Sequence, residues 1–436
     1  MNNIIGIRRE DKSRWERRVP LIPSHLRELK KDLGMRFIVQ PSPVRVFADD
    51  DFRLEGAKIQ DDLSPCGVVL AVKEIPLELI APRTTYLFFS HTIKGQSANM
   101  PMLRRLVERR CSLIDYERIT DERNRRLVFF GRQAGEAGMI DTLWALGRRL
   151  ETEGTPNPFT LLRPMHEYSS LIEAKEVVAE IGAAIRSDGL PASLVPLHCG
   201  FTGYGHVSQG AQEIFDLLPG DEIEPEEFRA FFGRGGFSPY RVYKSVFFEQ
   251  HLVRPRDPGR SFDLRDYYDR PEGYVPVFED FVPPMTLLVN GIYWSPRYPH
   301  FVTKRFIRSL FGGPERPRLR VIGDISCDVE GAVECTVRAT DQDDPVYVYD
   351  PVADSAVAGF AGNGPVVMAV DNLPAEMPLE SSVFFSQALK PFLPALAAAD
   401  FDGGYERSGL PDSLKRAFIL DRGEFTTDYR YMRAYL

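Results

Sequence analysis

The stretch His198-Cys199-Gly200-Phe201-Thr202-Gly203-Tyr204-Gly205-His206-Val207-Ser208-Gln209-Gly210, continuing as AQEIFDLL to Leu218, decides how this chain is read. It follows the apolar run SLVPL, a strand pattern, and opens a series of apolar positions at helical spacing. Closely spaced glycines between a strand and a helix let backbone N–H groups approach a pyrophosphate at the helix N-terminus. Gly200, Gly203 and Gly205 are therefore the candidate dinucleotide contacts. A strict GxGxxG pattern needs glycine at position 208, where the small Ser208 stands. A loop serving only as a tight turn is the alternative. About twenty residues on, in DEIEPEE, Glu224 falls near the end of an expected second strand, where a carboxylate can accept hydrogen bonds from ribose hydroxyls. A solvated surface glutamate is the competing reading.

Working outward, short apolar runs alternate with helical patterns from the start: NIIGIRR, LIPSHLRELKKDLG, MRFIVQP, GVVLAVKE, TYLFFSHT, PMLRRLVERRC and SLIDYE. That alternation marks an α/β sheet with crossover helices. Gly34 follows the last apolar position of LRELKKDLG, as a helix C-cap should. GRQAGEAGMIDTLWALGRRLETEG, from Gly131 to Gly154, reads as a long helix leaving a first domain, and TPNPFTLLRPMHEYSS as a linker. Between Pro255 and Pro284 the chain is rich in Asp, Arg, Tyr and Pro without periodicity, which predicts a long ordered excursion. Strand-like MTLLVNGIYW, LRVIGDISCD, YVYDP and GPVVMAVDNLP follow it. The helical SSVFFSQALKPFLPALAAA is expected to pack back onto the first domain.

A chain of 436 residues is too long for one ordinary core, so two domains are expected. Hydrophobic residues at 43% and charged residues at 27% match a globular chain, and a net charge of -8 leaves no basic surplus for nucleic acid. No secretory leader pattern and no run of about eighteen apolar residues is present, which makes a cytoplasmic location the expectation. Cys66, Cys111, Cys199, Cys327 and Cys335 are scattered without CxxC or Cys/His ligand spacing. They are expected to be inert thiols, with no zinc or other metal site.

The opening run IGIRREDKSRWERRVPLIPSHLREL resembles the start of the lysine-ketoglutarate reductase domain, found fused to saccharopine dehydrogenase in animals and plants. AVKEIP, LFFSHTIKGQSANMPML, SLIDYERITDERNRRLVFFGRQAGEAGM, GFTGYGHVSQGAQEIFDLLP, LLVNGIYW, VIGDISCDVEGAVECT and VDNLPAEMPLE resemble that family in the same order across essentially the whole chain. More distantly they are similar to the fungal lysine-forming saccharopine dehydrogenases and to the alanine dehydrogenase and transhydrogenase group. The resemblance implies two Rossmann-like α/β domains with the active site in the cleft between them. The catalytic domain would comprise residues 1–135 plus 345–436, and the dinucleotide domain 136–344.

It also implies an acid–base pair, carried over to Lys73 in AVKEIP and His91 in SHTIKG. Both suit a reaction that removes a proton from an ammonium and expels water before hydride transfer. Arg18, in WERRVPL, is the expected fork for a 2-oxo acid carboxylate, ahead of Arg9, Arg17, Arg125 and Arg126. Glu117 is the candidate for the amine end. Asp324, Ser326 and Asp328 in GDISCD would lie near substrate and nicotinamide, as would Asn290 and Gly291 in LVNGIYW; for both groups a structural turn is the alternative. The family implies NADPH, whereas Glu224 would repel a 2'-phosphate, so NADH stands as the other form, with Arg229 or Arg234 as poorer phosphate partners.

The implied reaction is reductive condensation of the lysine ε-amine with 2-oxoglutarate to saccharopine. Three alternatives are carried: a secondary-amine dehydrogenase with another amine or oxo acid, a nucleotide-binding regulator without turnover, and an alanine dehydrogenase-like enzyme using ammonia. The chain stops near the end of the reductase-like region, so the expectation is that it acts alone or with a separate saccharopine dehydrogenase as partner.

Overall fold

The computed structural model describes residues 3–401 and 403–436, and the chain divides into two compact units. The first is Met1–Phe130 with Pro378–Leu436; the second is Gly131–Met377. In chain order the first unit begins with β1 (Ile4–Ile7), α1 (Pro23–Leu33), β2 (Arg36–Val39), β3 (Lys58–Ile59), β4 (Val68–Leu70), β5 (Thr85–Phe88), α2 (Met100–Glu108) and β6 (Ser112–Asp115). Helix α1 starts on Pro23, whose missing N–H costs nothing in a first turn. It ends at Gly34, which takes the left-handed conformation (φ 63°) and donates its N–H to Lys30 O at 3.0 Å.

The second unit contains α3 (Gly131–Thr152), α4 (Leu171–Asp188), β7 (Leu197–Thr202), α5 (His206–Phe215), β8 (Gly220–Glu222), β9 (Val242–Phe247), β10 (Val253–Pro255), β11 (Tyr274–Pro276), β12 (Leu287–Asn290), β13 (Val321–Asp324), β14 (Val346–Asp350), β15 (Ser355–Ala358) and β16 (Val366–Met368). The chain then returns through α6 (Pro378–Leu389) to β17 (Phe418–Asp421) and β18 (Glu424–Phe425).

Each unit is built on an eight-stranded, largely parallel sheet, in the orders β18-β17-β6-β5-β4-β1-β2-β3 and β15-β14-β16-β13-β12-β7-β9-β8. Strands buried on both faces, such as β4 (VVL) and β12 (LLVN), are the runs such sheets require. The excursion predicted between Pro255 and Pro284 is ordered. It carries the β10–β11 ribbon and seats Tyr267, Tyr274 and Phe278 in an apolar cluster with Phe247 and Leu288. All five cysteines are free thiols, and among the described residues no helix is long and apolar enough to cross a membrane.

The domain limits differ from those expected. The first crossing falls at Phe130/Gly131, because α3 packs wholly within the second unit. The return expected at residue 345 falls instead at Pro378: β16 pairs with β13 and β14 with β16, so this whole segment extends the second sheet. Helix α3 lies hard against α5. A Cβ on Gly135 would overlap Val207 O and one on Gly210 would overlap Arg132 O, so the glycines of GRQAGEAG and SQGAQ serve this helix contact.

Asp141 on α3 and Glu376, next to the second crossing, place two carboxyl groups together in the interior. Burial holds Asp141 at about 6, against partial offsets from Glu376 and the Met165 N–H, and burial and then the Asp141 charge raise Glu376 well above the usual range. Folded-state values above the unfolded ones mean that the folded protein binds more protons. Stability is thus fully present below about pH 4 and is lost as pH rises through about 6. The expected result is that Glu376→Gln raises the melting temperature at pH 8 and flattens its dependence between pH 5 and 8. An unchanged slope in scanning calorimetry would discard this pair as a source of the pH dependence.

Candidate active site

In the first unit β6, β5, β4 and β1 are parallel neighbours, so their C-terminal ends share one edge. Parallel α/β sheets present ligand-contacting groups on this edge. Glu10 follows β1, Lys73 and Glu74 follow β4, His91 follows β5, and Glu117 follows β6. Lys73 and His91, read from separate blocks of sequence, thus come from adjacent strands. Glu74 joins their surroundings: its carboxylate binds His91 Nδ1 at 2.6 Å and Lys12 Nζ at 2.7 Å. Burial alone would raise Glu74, but the His91 hydrogen bond and the His91 and Lys12 charges hold it well below the usual carboxylate range.

Lys73 is half-buried, and among the described residues its Nζ has no hydrogen-bond or ion-pair partner. Burial first, and the Arg18 guanidinium second, hold its pKa below that of an ordinary lysine. His91 sits at φ 47°, with its ring flat against Phe89 (6.1 Å, 13°) and its carbonyl taking Asn99 Nδ2–H at 3.1 Å. Its Nδ1 is committed to Glu74, which leaves Nε2 as the nitrogen presented outward.

Arg18 is not the open fork that was expected. Its guanidinium grips Glu16 through two bonds (Nε–Oε1 2.7 Å, NH2–Oε2 2.6 Å), lies over the Phe130 ring at 4.4 Å, and is 2% exposed. Its charge bears on Lys73. Glu117 and Arg126, both candidate substrate contacts, pair with each other at 3.1 Å. Arg9 and Arg125 pair with Asp61 and Asp121, and Arg17 donates to Val44 O.

Two further carboxylates of this edge were not singled out by sequence. Glu10 is buried and accepts the backbone N–H groups of Val72 (2.7 Å) and Lys73 (3.0 Å); burial, then the Glu16 charge, push it up to about 7. Asp115 accepts the N–H groups of Ser90 (3.1 Å) and Glu117 (2.8 Å) and the Ser90 hydroxyl; burial, then the Glu117 charge, push it up to about 6. Their signal was position, since Asp115 closes β6 and Glu10 stands three residues beyond the end of β1, both at this edge.

In the second unit β7 ends at Thr202 and α5 starts at His206, so Gly203, Tyr204 and Gly205 form the loop. Gly203 takes φ 84°, a conformation that favours glycine, and a Cβ on Gly205 would meet open space. Gly205 is the N-cap of α5, and no side chain caps it, so the first-turn N–H groups suit a pyrophosphate. Gly200 stands apart from the loop. It lies inside β7, laddered to Leu288 and Ser245, where a side chain would press on Met285. Ser208 is buried and accepts Gln212 Nε2–H at 3.0 Å.

Glu224 is corrected too. It follows the outermost strand β8 and is exposed, whereas the neighbour of β7 is β9, which the sequence reading missed. The carboxylate beyond the end of β9 is Glu249, buried and accepting the Tyr268 hydroxyl at 2.6 Å. With Gly203, Gly205, Tyr268 and Gly291 it lines a cavity of about 390 Å³. Such a loop, helix end and carboxylate fit the pyrophosphate and ribose of a dinucleotide.

Asn290 and Asp324 are buried braces between strand ends. Thr202 Oγ1 donates to Asn290 Oδ1 (2.7 Å), Asn290 Nδ2 to Asp324 Oδ1 (2.8 Å) and Thr336 Oγ1 to Asp324 Oδ2 (2.5 Å). Burial pushes Asp324 up to about 6 against those bonds. Ser326 donates to Ile292 O at 2.6 Å, and Asp328 lies in the same turn, half-buried. Gly291 faces the first turn of α5, where a Cβ would meet Val207 and Ser208 N.

A glycine loop on one largely parallel sheet and a Lys/His/carboxylate edge on another belong to two Rossmann-like α/β units. Against an L-alanine dehydrogenase structure the TM-score is 0.63 at 18% identity, covering 99% of this chain and 98% of that one. Residues 6–137 match the alanine dehydrogenase/PNT N-terminal domain family. The chain is 41% identical to the alpha-aminoadipic semialdehyde synthase of Arabidopsis thaliana over 99% of its own length and 41% of that protein's. It is 27% identical to the saccharopine dehydrogenase [NAD(+), L-lysine-forming] of Emericella nidulans, covering 90% of this chain and 92% of that one. The chain is therefore similar along nearly its whole length to part of the alpha-aminoadipic semialdehyde synthases, and residues 6–137 are similar to the alanine dehydrogenase/PNT N-terminal domain. It spans less than half the length of the Arabidopsis relative.

The burial and charge acting on Lys73 predict that, in protein carrying 13C-methylated lysines, its NMR signal titrates below the others. Arg18→Met should move its midpoint up; an unmoved signal would show that Arg18 has no hold on it.

Proposed function

We propose that the protein is a saccharopine-type oxidoreductase, reductively joining the ε-amine of L-lysine to the keto carbon of 2-oxoglutarate. The observation that carries this reading is the meeting of Lys73, Glu74 and His91 on one sheet edge, with Lys73 biased toward its neutral form. The overall balance is lysine, 2-oxoglutarate, reduced nicotinamide and a proton giving saccharopine, oxidised nicotinamide and water. Neutral Lys73 takes a proton from the incoming ammonium, freeing the amine lone pair to attack the keto carbon. His91, oriented by Glu74, delivers a proton through Nε2 to the departing hydroxyl, which leaves as water and yields the imine. The dinucleotide supplies the hydride that converts the imine to the secondary amine. Glu117 with Arg126 is the polar pair assigned to the substrate's charged ends; Arg18 acts through Lys73, and Asp324 through the strand ends it braces.

For the dinucleotide, Gly203, Gly205 and Gly291 are assigned to the pyrophosphate side and Glu249 to the ribose. A buried carboxylate there favours free hydroxyls over a 2'-phosphate, so NADH is the proposed form, against the NADPH that the family resemblance implies. Wild-type kcat/KM should be greater with NADH, and Glu249→Ser should shift the ratio toward NADPH by about tenfold or more. A ratio that stays put would take Glu249 out of cofactor choice.

The activity test follows reduced-nicotinamide absorbance with 2-oxoglutarate and a panel of amines headed by L-lysine. Lysine-dependent oxidation yielding saccharopine is expected, falling by about 10²–10⁴ in Lys73→Met and His91→Gln. Turnover with a different amine or oxo acid alone would leave the chemistry and replace the substrate. Nucleotide binding without turnover on any pair would leave a regulator.

A further inference from the structure

At the opposite edge of the first sheet, β5 and β6 begin and the antiparallel β17 ends. The turns there are stitched together: Arg83 N–H donates to Arg109 O, Ser112 N–H to Thr84 O, Gly423 N–H to Cys111 O and Arg422 N–H to Ser112 Oγ, all within 2.7–3.0 Å. An arginine holds the left-handed position of each turn: Arg83 at φ 55°, Arg110 at φ 55° and Arg422 at φ 50°. Glycine or asparagine fills such positions at lower cost, because the Cβ of other residues crowds the backbone. Three arginines there, in turns at the ends of three adjacent strands, each carry a long cationic side chain at a backbone position that is costly for it.

All three arginines are among the residues that line one surface cavity of about 600 Å³. Among the described residues Arg83 and Arg110 have no ion-pair partner, while Arg422 Nε lies 3.6 Å from Asp421. The two acidic residues of the wall are engaged elsewhere, Glu108 with Arg105 at 3.4 Å and Glu424 with Arg433 at 3.1 Å. In a chain of net charge -8, this cavity is lined by more arginines than glutamates, with Arg83 and Arg110 outside any ion pair among the described residues.

From this juxtaposition we infer that Arg83, Arg110 and Arg422 form a binding site for a small polyanion of the di- or triphosphate class, on the sheet edge opposite Lys73 and His91. Forked guanidinium groups bind phosphate oxygens bidentately, and three of them around one cavity match an anion carrying several charges. The site is independent of the proposed reaction.

Inorganic tripolyphosphate tests it, by calorimetric titration and thermal shift on the full chain at constant ionic strength. The comparison is Arg110→Gly/Arg422→Gly, which removes two guanidinium groups while relieving two left-handed backbones. Wild type should bind with a saturable melting-temperature rise. The double variant should melt at or above wild type without ligand, yet bind tripolyphosphate about tenfold or more weakly, the loss expected when paired guanidinium contacts go. Equal affinity in both proteins would move the anion elsewhere, the glycine loop included, and overturn the site, as would no binding to wild type. Tighter binding of a long single-stranded oligonucleotide than of tripolyphosphate would overturn the assignment to a small anion.

Discussion

The carboxylate of Glu10 is the clasp on which the candidate catalytic edge depends. By accepting the N–H groups of Val72 and Lys73 it ties the loop after β1 to the loop after β4, and so fixes where the Lys73 side chain departs. Two bonds from peptide donors satisfy a carboxylate that burial would otherwise make costly. Around it the charges are nested: Glu16 holds Arg18, Arg18 bears on Lys73, and Glu74 holds both Lys12 and His91. Removing one member leaves another unpaired, so the edge behaves as a unit rather than as separate residues.

Much of this was legible because the signals are local. Gly203, Gly205, Lys73 and His91 each stand where an apolar strand run stops, and a short window of sequence reveals that. What stayed hidden depended on partners distant in sequence. Strand β9 was missed because Lys244 and Ser245 interrupt its apolar run. Both are satisfied from other elements: Lys244 by Asp216 at 2.7 Å, and Ser245 by His198 at 3.0 Å and Ile223 O at 2.6 Å. With β9 unseen, the sequence offered Glu224 at the end of β8 and passed over Glu249, which follows β9 and lines the cavity.

Arg18 shows a subtler limit. Glu16 and Arg18 are both plain in the sequence, but only the fold brings them into a closed pair under the Phe130 ring. The domain limit is similar: YVYDP and GPVVMAV read correctly as strands, but their sheet is chosen by the β13 edge. Glycines deceive in another way. Gly135, Gly200 and Gly210 are demanded by neighbours in the interior, while Gly203 and Gly205 face the cavity, and the two kinds look alike in a sequence.

The discontinuity of the first unit reaches beyond the finished structure to the order in which it is made. Strand β6 gains its outer partner only from β17, and Asp115 N–H donates to Ala417 O at 2.9 Å. On the ribosome the continuous insertion Gly131–Met377 must emerge between those two strands. At roughly 5–20 residues per second that interval is tens of seconds. Throughout it the nascent sheet carries an unpaired β6 edge, the kind of surface on which chains stick to one another. The insertion can fold as soon as it appears, whereas the edge that bears Asp115 and Glu117 is completed last, so the protein acquires its second, continuous unit before its first.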